Sequence, residues 1–117
     1  MGEKIIVNEL YRGSGGAISQ NDNITSDLID LRHIGIAGYF SLHVITVGGT
    51  LTATLLVCST EDGTFVAPDT AITILDAVAA GTHFASFSPP LTPFIKIKFT
   101  ETNVDDITSM DAWLNVQ

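Results

Sequence analysis

Charged side chains are scarce in this chain of 117 residues, where Asp, Glu, Lys and Arg together make up only 15% of the sequence. About 25% is typical of soluble domains, and charge keeps an isolated protein surface wetted and separate from its neighbours. The hydrophobic share is 45%, while the formal net charge of −8 provides some repulsion between copies. The length supports one domain with one core. We therefore predict a single domain that hides part of its surface against a partner.

Basic residues, cysteines and long apolar runs are also few or absent. Only five residues are Lys or Arg, too few for the counterion release that drives nucleic-acid binding. Cys58 is the single cysteine, so an internal disulfide is excluded. The first residues, MGEKIIVNELYRGSGG, do not have the pattern of a secretory signal peptide, and no apolar run approaches the length of a membrane span. We expect a protein made in the cytoplasm, without nucleic-acid or membrane partners.

Alternating apolar and polar residues indicate β-strands from residue 24 onward. The pattern is clearest in the runs GYFSLHVITV, TLTATLLVCS, FIKIKFT and SMDAWLNVQ. Gly48-Gly49 lies between the first two runs and predicts a hairpin there. Weaker strands are predicted at SDLIDLR, TAITIL and HFASFS, and DAVAA at 76–80 is the one candidate for a helical turn. With no long helix to cover the apolar stripes, the fold class is all-β, an antiparallel β-sandwich (jelly-roll-like or Ig-like) of about seven to eight strands.

Residues 1–23 differ from the rest of the chain. A short apolar run, EKIIVNELY, is followed by RGSGGAISQNDN, and such glycine-rich polar sequence is typical of loops. We predict an N-terminal arm and Gly-rich elbow at 1–23 and a β-sandwich domain at 24–117. The arm is expected to dock on its own core or on a neighbouring subunit, and deletion of residues 1–16 is expected to abolish assembly but not folding.

A second, partly apolar face on the early and late strands predicts an interface. Alternation places Tyr39 and Ile45 opposite the core stripe, and Trp113 opposite Leu114. Trp is a frequent anchor of protein interfaces. The predicted interface residues, including those of the arm, are Ile5, Val7, Leu10, Tyr11, Tyr39, Ile45 and Trp113.

The stretch STEDGTF at 59–65 is predicted to be a turn between strands. Asp62-Gly63 favours a turn because glycine accepts positive φ and aspartate caps its own backbone. The alternatives are a calcium loop or a sugar site, but Ca²⁺ takes six or more oxygen ligands and the stretch supplies about three.

No motif for catalysis or cofactor binding stands out, and we expect neither. His33, His43, His83 and Cys58 lack the spacing of zinc ligands. The acid pairs Asp27/Asp30 and Asp105/Asp106 are interpreted as solvated loop residues rather than as a glycosidase pair. The sequence has no G-x-S-x-G elbow, and GSGG at 13–16 lacks the Lys-Ser/Thr pair of a phosphate loop.

Three stretches, TLLVCSTEDGTFVAPD, SFSPPLTPFIKIKFT and DAWLNVQ, resemble the small β-sandwich virion proteins of tailed bacteriophages over roughly residues 26–117. The resemblance implies a symmetric assembly subunit, often a capsid decoration (cement) protein located in the virion. Together with the low charge, the second apolar face and the separable arm, it leads us to expect a homo-oligomer, with a trimer as one option, bound to a larger assembly such as a capsid shell. The same strand–turn–aromatic pattern is also similar to discoidin-like carbohydrate-binding modules, although Phe65 stands where those usually have Trp.

The leading hypothesis is thus a non-enzymatic structural virion protein. The alternative is a discoidin-like carbohydrate-binding module or a tail- or fibre-associated receptor-binding domain. An enzyme ranks last, although a fold alone does not exclude activity.

Overall fold

The computed structural model describes residues 5–32, 38–102 and 105–117. Apart from a single 3-10 turn at Gly13–Gly16, the regular elements in these ranges are strands. In chain order they are β1 (Ile6–Tyr11), β2 (Asn23–Thr25), β3 (Ile29–Asp30), β4 (Phe40–Cys58), β5 (Thr73–Phe87), β6 (Phe94–Glu101) and β7 (Ser109–Val116).

The seven strands form one antiparallel sheet in the order β1-β7-β4-β6-β2, with β3 paired to β6 and β5 paired to β4. The sheet curls as a half-barrel. One part consists of β1, β7 and the first half of β4, and the other of the second half of β4 with β6, β2 and β3, while β5 runs along β4 through both. The two parts enclose one core. The core draws on both parts, with Leu42 and Leu114 from one and Leu55 and Phe99 from the other, all almost fully buried. The prediction of an all-β, antiparallel, sandwich-like fold is confirmed.

Strand β4 joins the two parts of the sheet, and here the predicted hairpin at Gly48-Gly49 is wrong. Its first half pairs with β7 and its second half with β6, so the chain bends at the glycines and continues. Both glycines have positive φ, +80° and +68°. A Cβ on Gly49 would lie 2.5 Å from Cγ1 of Ile107. Hairpin turns and sharp bends both favour glycines with positive φ. Here residues 105–107 pack directly on the two glycines, and this packing requires a bend.

Strand β5 also runs through both parts of the sheet. It follows β4 from Phe40↔Phe87 to Thr54↔Thr73, with register shifts around the bend. The separately predicted strands TAITIL and HFASFS therefore belong to one strand, and the candidate helical turn at 76–80 is wrong. Ala77 has a φ of +49°, and it lies where β5 follows the bend in its partner. The short strand predicted within SDLIDLR is reduced to Ile29–Asp30.

The N-terminal segment pairs with the same chain. β1 adds to β7 in antiparallel register from Ile6↔Val116 to Tyr11↔Ala112, with a shift between Glu9 and Tyr11. Further along, Ile18 bridges Ile107 and is 1% exposed. These contacts match the first of the two predicted docking modes, docking on its own core. The boundary at residue 23 stays a prediction.

One acidic side chain is buried at the bend. Glu101 is 1% exposed, and its two carboxylate oxygens accept hydrogen bonds from the backbone N–H groups of Asn21 and Thr50, each at 3.0 Å. A buried carboxylate is tolerated where it is hydrogen-bonded. Glu101 thereby ties the segment before β2 to the bent strand β4.

Candidate assembly surface

The outer side of the sheet formed by β1, β7, the first half of β4 and the second half of β5 is the candidate site. We call it the aromatic face, and its residues are Ile5, Val7, Glu9, Tyr39, Ser41, His43, Ile45, Val47, Phe84, Ser86, Asp111, Trp113 and Asn115. Strand alternation turns these side chains outward because their neighbours Phe40, Leu42 and Val44 point into the core.

A row of rings crosses the middle of the aromatic face. His43 is opposite Trp113 on β7 and opposite Phe84 on β5. The His43 ring lies 4.8 Å from that of Phe84, with the two planes stacked, and 4.9 Å from that of Trp113. Such cross-strand aromatic pairs stabilise a sheet. They also present a continuous ring surface to the outside.

Exposed hydrophobic side chains concentrate on this face. Eight large hydrophobic residues are exposed in the described part of the chain, and six of them belong to the aromatic face. Tyr39 is 69% exposed and Phe84 62%. The six are Ile5, Val7, Tyr39, Ile45, Val47 and Phe84, and the other two are Val66 and Leu91. Scattered apolar residues are normal on a protein surface, but a contiguous patch marks a binding surface.

An open groove of about 510 Å³ lies at the end of the aromatic face where β4 begins and β5 and β7 end. This is within the range of roughly 300–1,000 Å³ for binding pockets. Among the described residues that line the groove, no side chain is charged, and six carry hydroxyl or amide groups. The lining residues are Ile5, Gly38, Tyr39, Phe40, Ser41, Phe84, Ser86, Phe87, Ser88, Asn115, Val116 and Gln117.

The structure places five of the seven predicted interface residues on the aromatic face: Ile5, Val7, Tyr39, Ile45 and Trp113. Leu10 and Tyr11 instead pack against the core, and the Tyr11 ring meets Phe99 edge-on at 5.6 Å. Burial, followed by the negative charge of Asp27, raises the pKa of Tyr11 above its ordinary value. Sequence reasoning missed Phe84, although alternation within HFASFS separates it from Phe87, which points toward the core.

The two acidic residues of the face have different surroundings. Oδ1 of Asp111 accepts a 2.7 Å hydrogen bond from the backbone N–H of Gly13 and so anchors the turn after β1. Glu9 stands next to Trp113 in the cross-strand row. It is in no ion pair within the described ranges, where the Arg32–Asp30 pair alone is found.

The outer side of β6 carries cations. Nζ of Lys96 lies 4.5 Å from the centre of the Phe65 ring, and the guanidinium of Arg32 lies 4.8 Å from that of Phe94. Lys98 is opposite Thr25 on β2 and Thr54 on β4. The outer side of the sheet formed by β6 and the second half of β4 is therefore more polar than the aromatic face. None of the exposed large hydrophobic side chains of the described residues lies on these two strand segments.

The stretch STEDGTF is a turn, as predicted, but its glycine is required for space rather than for positive φ. Val57 and Val66 bridge across it, and the Gly63 N–H donates to the Thr60 carbonyl oxygen at 3.4 Å. A Cβ on Gly63 would clash with the side-chain oxygen of Thr60 and lie 2.7 Å from Sγ of Cys58. Hydrogen bonds from the backbone and the side chain of Thr60 lower the pKa of the Cys58 thiol.

The described residues contain no group of three His, Cys, Asp or Glu side chains that could hold a metal ion. His43 lies in the ring row, and Nε2 of His83 is 2.7 Å from the Ala79 carbonyl oxygen. The prediction for His33 lies outside the described residues. No helix within those ranges is long and apolar enough to cross a membrane.

Comparisons with known proteins identify a fold but not a family. Neither a protein-family model nor a curated protein matches this chain. Among solved structures, the chain is similar to part of a chain in the structure of infectious bursal disease virus, Gx strain. The TM-score is 0.56 at 16% identity, covering 99% of this chain and 33% of that one.

Two further similarities are more distant. The enzymatically active domain of tailspike protein 4 of bacteriophage CBA120 has a TM-score of 0.49 at 15% identity, covering 98% of this chain and 18% of that one. A carbohydrate-binding module from Cel9A of Ruminococcus flavefaciens FD-1 has a TM-score of 0.36 at 12% identity, covering 94% of this chain and 99% of that one. At TM-scores below 0.5, these two carry no argument about this chain.

The chain thus spans a third or less of the first two structures it resembles, and identities this low show the fold alone. The comparisons support the resemblance found in the sequence only as far as the fold, which also occurs in a virus structure.

Proposed function

We propose that this chain is a non-enzymatic structural virion protein, a capsid decoration (cement) or other surface assembly subunit that acts through contacts between copies. The observation that carries the proposal is the clustering of exposed hydrophobic side chains, six of eight, on the aromatic face. A face of this kind is unfavourable in water and is stabilised when a partner covers it.

The size of the cluster supports an interface rather than an incidental patch. Full burial of a Val, Leu, Ile or Phe side chain contributes about 1.5–3 kcal/mol, and association costs an estimated 4–15 kcal/mol in lost motional freedom. One or two such partly exposed side chains contribute only about 1–4 kcal/mol, which is at or below the lower end of this cost. The six side chains of the aromatic face are 36–69% exposed, so covering them fully contributes roughly 5–10 kcal/mol, which is comparable to that cost, and symmetry multiplies each contact in an assembly.

The alternative function, binding of carbohydrate or of a receptor at a tail or fibre, is favoured by one specific observation. The groove combines two exposed rings, Tyr39 and Phe84, with uncharged hydroxyl and amide groups. An array of neutral glycans probed with the purified chain distinguishes the two functions. Specific glycan binding that is lost in Tyr39→Ala would favour the alternative.

The proposal is tested by sedimentation velocity over a wide range of protein concentrations. We expect the wild type to form a discrete oligomer and the double variant Val7→Lys/Ile45→Lys to remain monomeric. The control is Val66→Lys, because Val66 is 54% exposed but lies outside the aromatic face. A wild-type chain that stays monomeric at every concentration would contradict the proposal. Antibody labelling of purified particles then tests the location in a virion.

A further inference from the structure

Leu91 is the most exposed large hydrophobic residue of the described part of the chain and is fully open to solvent. It belongs to the connection 88–93, with the sequence SPPLTP, between β5 and β6. Three of the six residues are prolines, whose rings fix φ and stiffen the chain. The segment Pro89–Leu91 therefore projects as a rigid apolar knob, and we refer to it as the proline knob.

The base of the proline knob is held in place. The Thr92 hydroxyl donates a 3.0 Å hydrogen bond to the carbonyl oxygen of Cys58, and the Leu31 N–H donates to the carbonyl oxygen of Pro93 at 2.8 Å. A leucine at the tip of a loop fixed in this way loses little conformational freedom when it is buried by a partner. Such preorganisation lowers the cost of binding.

The groove at the end of the aromatic face has the complementary chemistry. Proline-rich segments dock into grooves lined by aromatic rings, because the extended proline conformation is already formed before binding. Tyr39, Phe84 and Phe87 line this groove. Pro90 and Leu91 are the exposed residues of the knob, and they are the ones available to such a groove.

A second copy of this chain is the partner that fits, because one chain carries both the exposed proline-rich segment and the groove lined by aromatic rings. Copies with a net charge of −8 repel one another, so a stable contact between them has to keep charge out of the buried region. The connection 88–93 has no charged side chain, and neither do the described residues that line the groove. The two are also adjacent, because Ser88 lines the groove and Leu91 lies three residues further on. A two-fold axis near them lets each copy insert its knob into the groove of the other.

We propose that the proline knob of one copy docks in the aromatic groove of another, with Leu91 as the anchor. This inference rests on the proposed self-association and specifies its contact. It accounts for the two most exposed features of the surface, the knob and the rings of Tyr39 and Phe84, by a single interaction.

Sedimentation equilibrium of three variants that add the same charge tests the inference. Leu91→Asp removes the knob, Phe84→Asp alters the groove, and Val66→Asp is the control. All three side chains are more than half exposed, so the fold is expected to survive, which circular dichroism checks. We expect the dissociation constant to rise at least about tenfold for the first two and to change less than about threefold for the control.

Position-specific cross-linking provides the second arm. In a Cys58→Ser background, Leu91→Cys and Ser86→Cys chains are mixed and oxidised with oxidised glutathione. We expect the mixed 91–86 dimer to form faster than either homodimer. If wild type associates but Leu91→Asp associates equally well and no mixed dimer forms, the knob-in-groove contact is wrong while the proposed assembly stands. If wild type does not associate at all, both proposals are wrong.

Discussion

At the scale of single residues, the alternation of side chains predicted most residues of the aromatic face. The prediction was wrong for Leu10 and Tyr11 at the end of β1, which pack against the core. Val7, Ile45 and Trp113 occupy regular strand positions, where the two-residue period decides which way a side chain points. Tyr11 follows a register shift in β1, and such a shift turns a residue to the other side. The shift depends on pairing with β7, more than 90 residues away, and the local pattern does not contain it.

Glu101 is the residue whose loss we expect to be most costly among the acids. Glu101→Ala leaves the N–H groups of Asn21 and Thr50 without the carboxylate oxygens that they now contact. An unsatisfied buried polar group costs about 1–3 kcal/mol; because Asn21 is exposed and water can replace its bond, we expect the free energy of unfolding to fall by about 1–3 kcal/mol. Urea denaturation measures it. Asp69→Asn, at an exposed position, is the control and should change the midpoint little; equal effects would rule out the structural role of Glu101.

Cys58 is expected to be more reactive than an ordinary thiol. Hydrogen bonds from Thr60, first from its backbone and then from its hydroxyl, favour the thiolate and lower the pKa. Because the thiolate is the reacting form, the rate of alkylation by iodoacetamide should reach half its maximum at a lower pH than it does for an ordinary cysteine thiol. Thr60→Ala should move this midpoint upward. An unchanged midpoint in that variant would contradict the assignment.

At the scale of elements, the strand pattern was predictable but the connectivity at Gly48-Gly49 was not. Both halves of β4 alternate, yet the buried positions are even-numbered before the glycines (Leu42, Val44) and odd-numbered after them (Leu51, Ala53). This change of phase suits two separate strands as well as one bent strand. The bend is decided by the packing of residues 105–107 on the glycines, which is a contact distant in sequence.

Substitution at the bend tests this explanation. Gly49→Ala forces a residue with a Cβ to adopt φ of +68° and places that Cβ 2.5 Å from Ile107. Strained backbone costs about 1–3 kcal/mol and overpacking about as much again, so we expect a loss of about 2–6 kcal/mol in the free energy of unfolding. Gly15→Ala is the matched control, because nothing lies within 4 Å of its added Cβ. Similar thermal midpoints for the two variants would contradict the packing account.

The pairing of β1 with β7 changes what deletion of the N-terminal segment should do. Removal of residues 1–16 would uncover the edge of β7 and the core side chains that Leu10 and Tyr11 cover. We now expect the truncated chain to unfold at a lower temperature and to bind a hydrophobic dye, in addition to any loss of assembly. Differential scanning calorimetry is the measurement, and a truncated chain as stable as the full one would show that β1 is an independent arm.

At the scale of the whole molecule, low charge and an all-β fold follow from composition and periodicity, which are properties of the chain itself. The concentration of exposed rings on one face follows from how β1, β7, β4 and β5 lie side by side, with Trp113, His43 and Phe84 in one cross-strand row. That order involves pairings across most of the chain. The general expectation of a covered surface was therefore accessible from sequence, whereas the groove and the proline knob were not.

The fluorescence of Trp113 as a function of protein concentration is the most direct test that the aromatic face is the one that copies cover. Trp113 is the only tryptophan of the chain, and it lies in the middle of that face between Glu9 and His43. Exclusion of water around an indole ring shifts its emission to shorter wavelength. We predict a blue shift that follows the same concentration dependence as the sedimentation coefficient. Association without any change in Trp113 emission, or no association at all, would contradict the account.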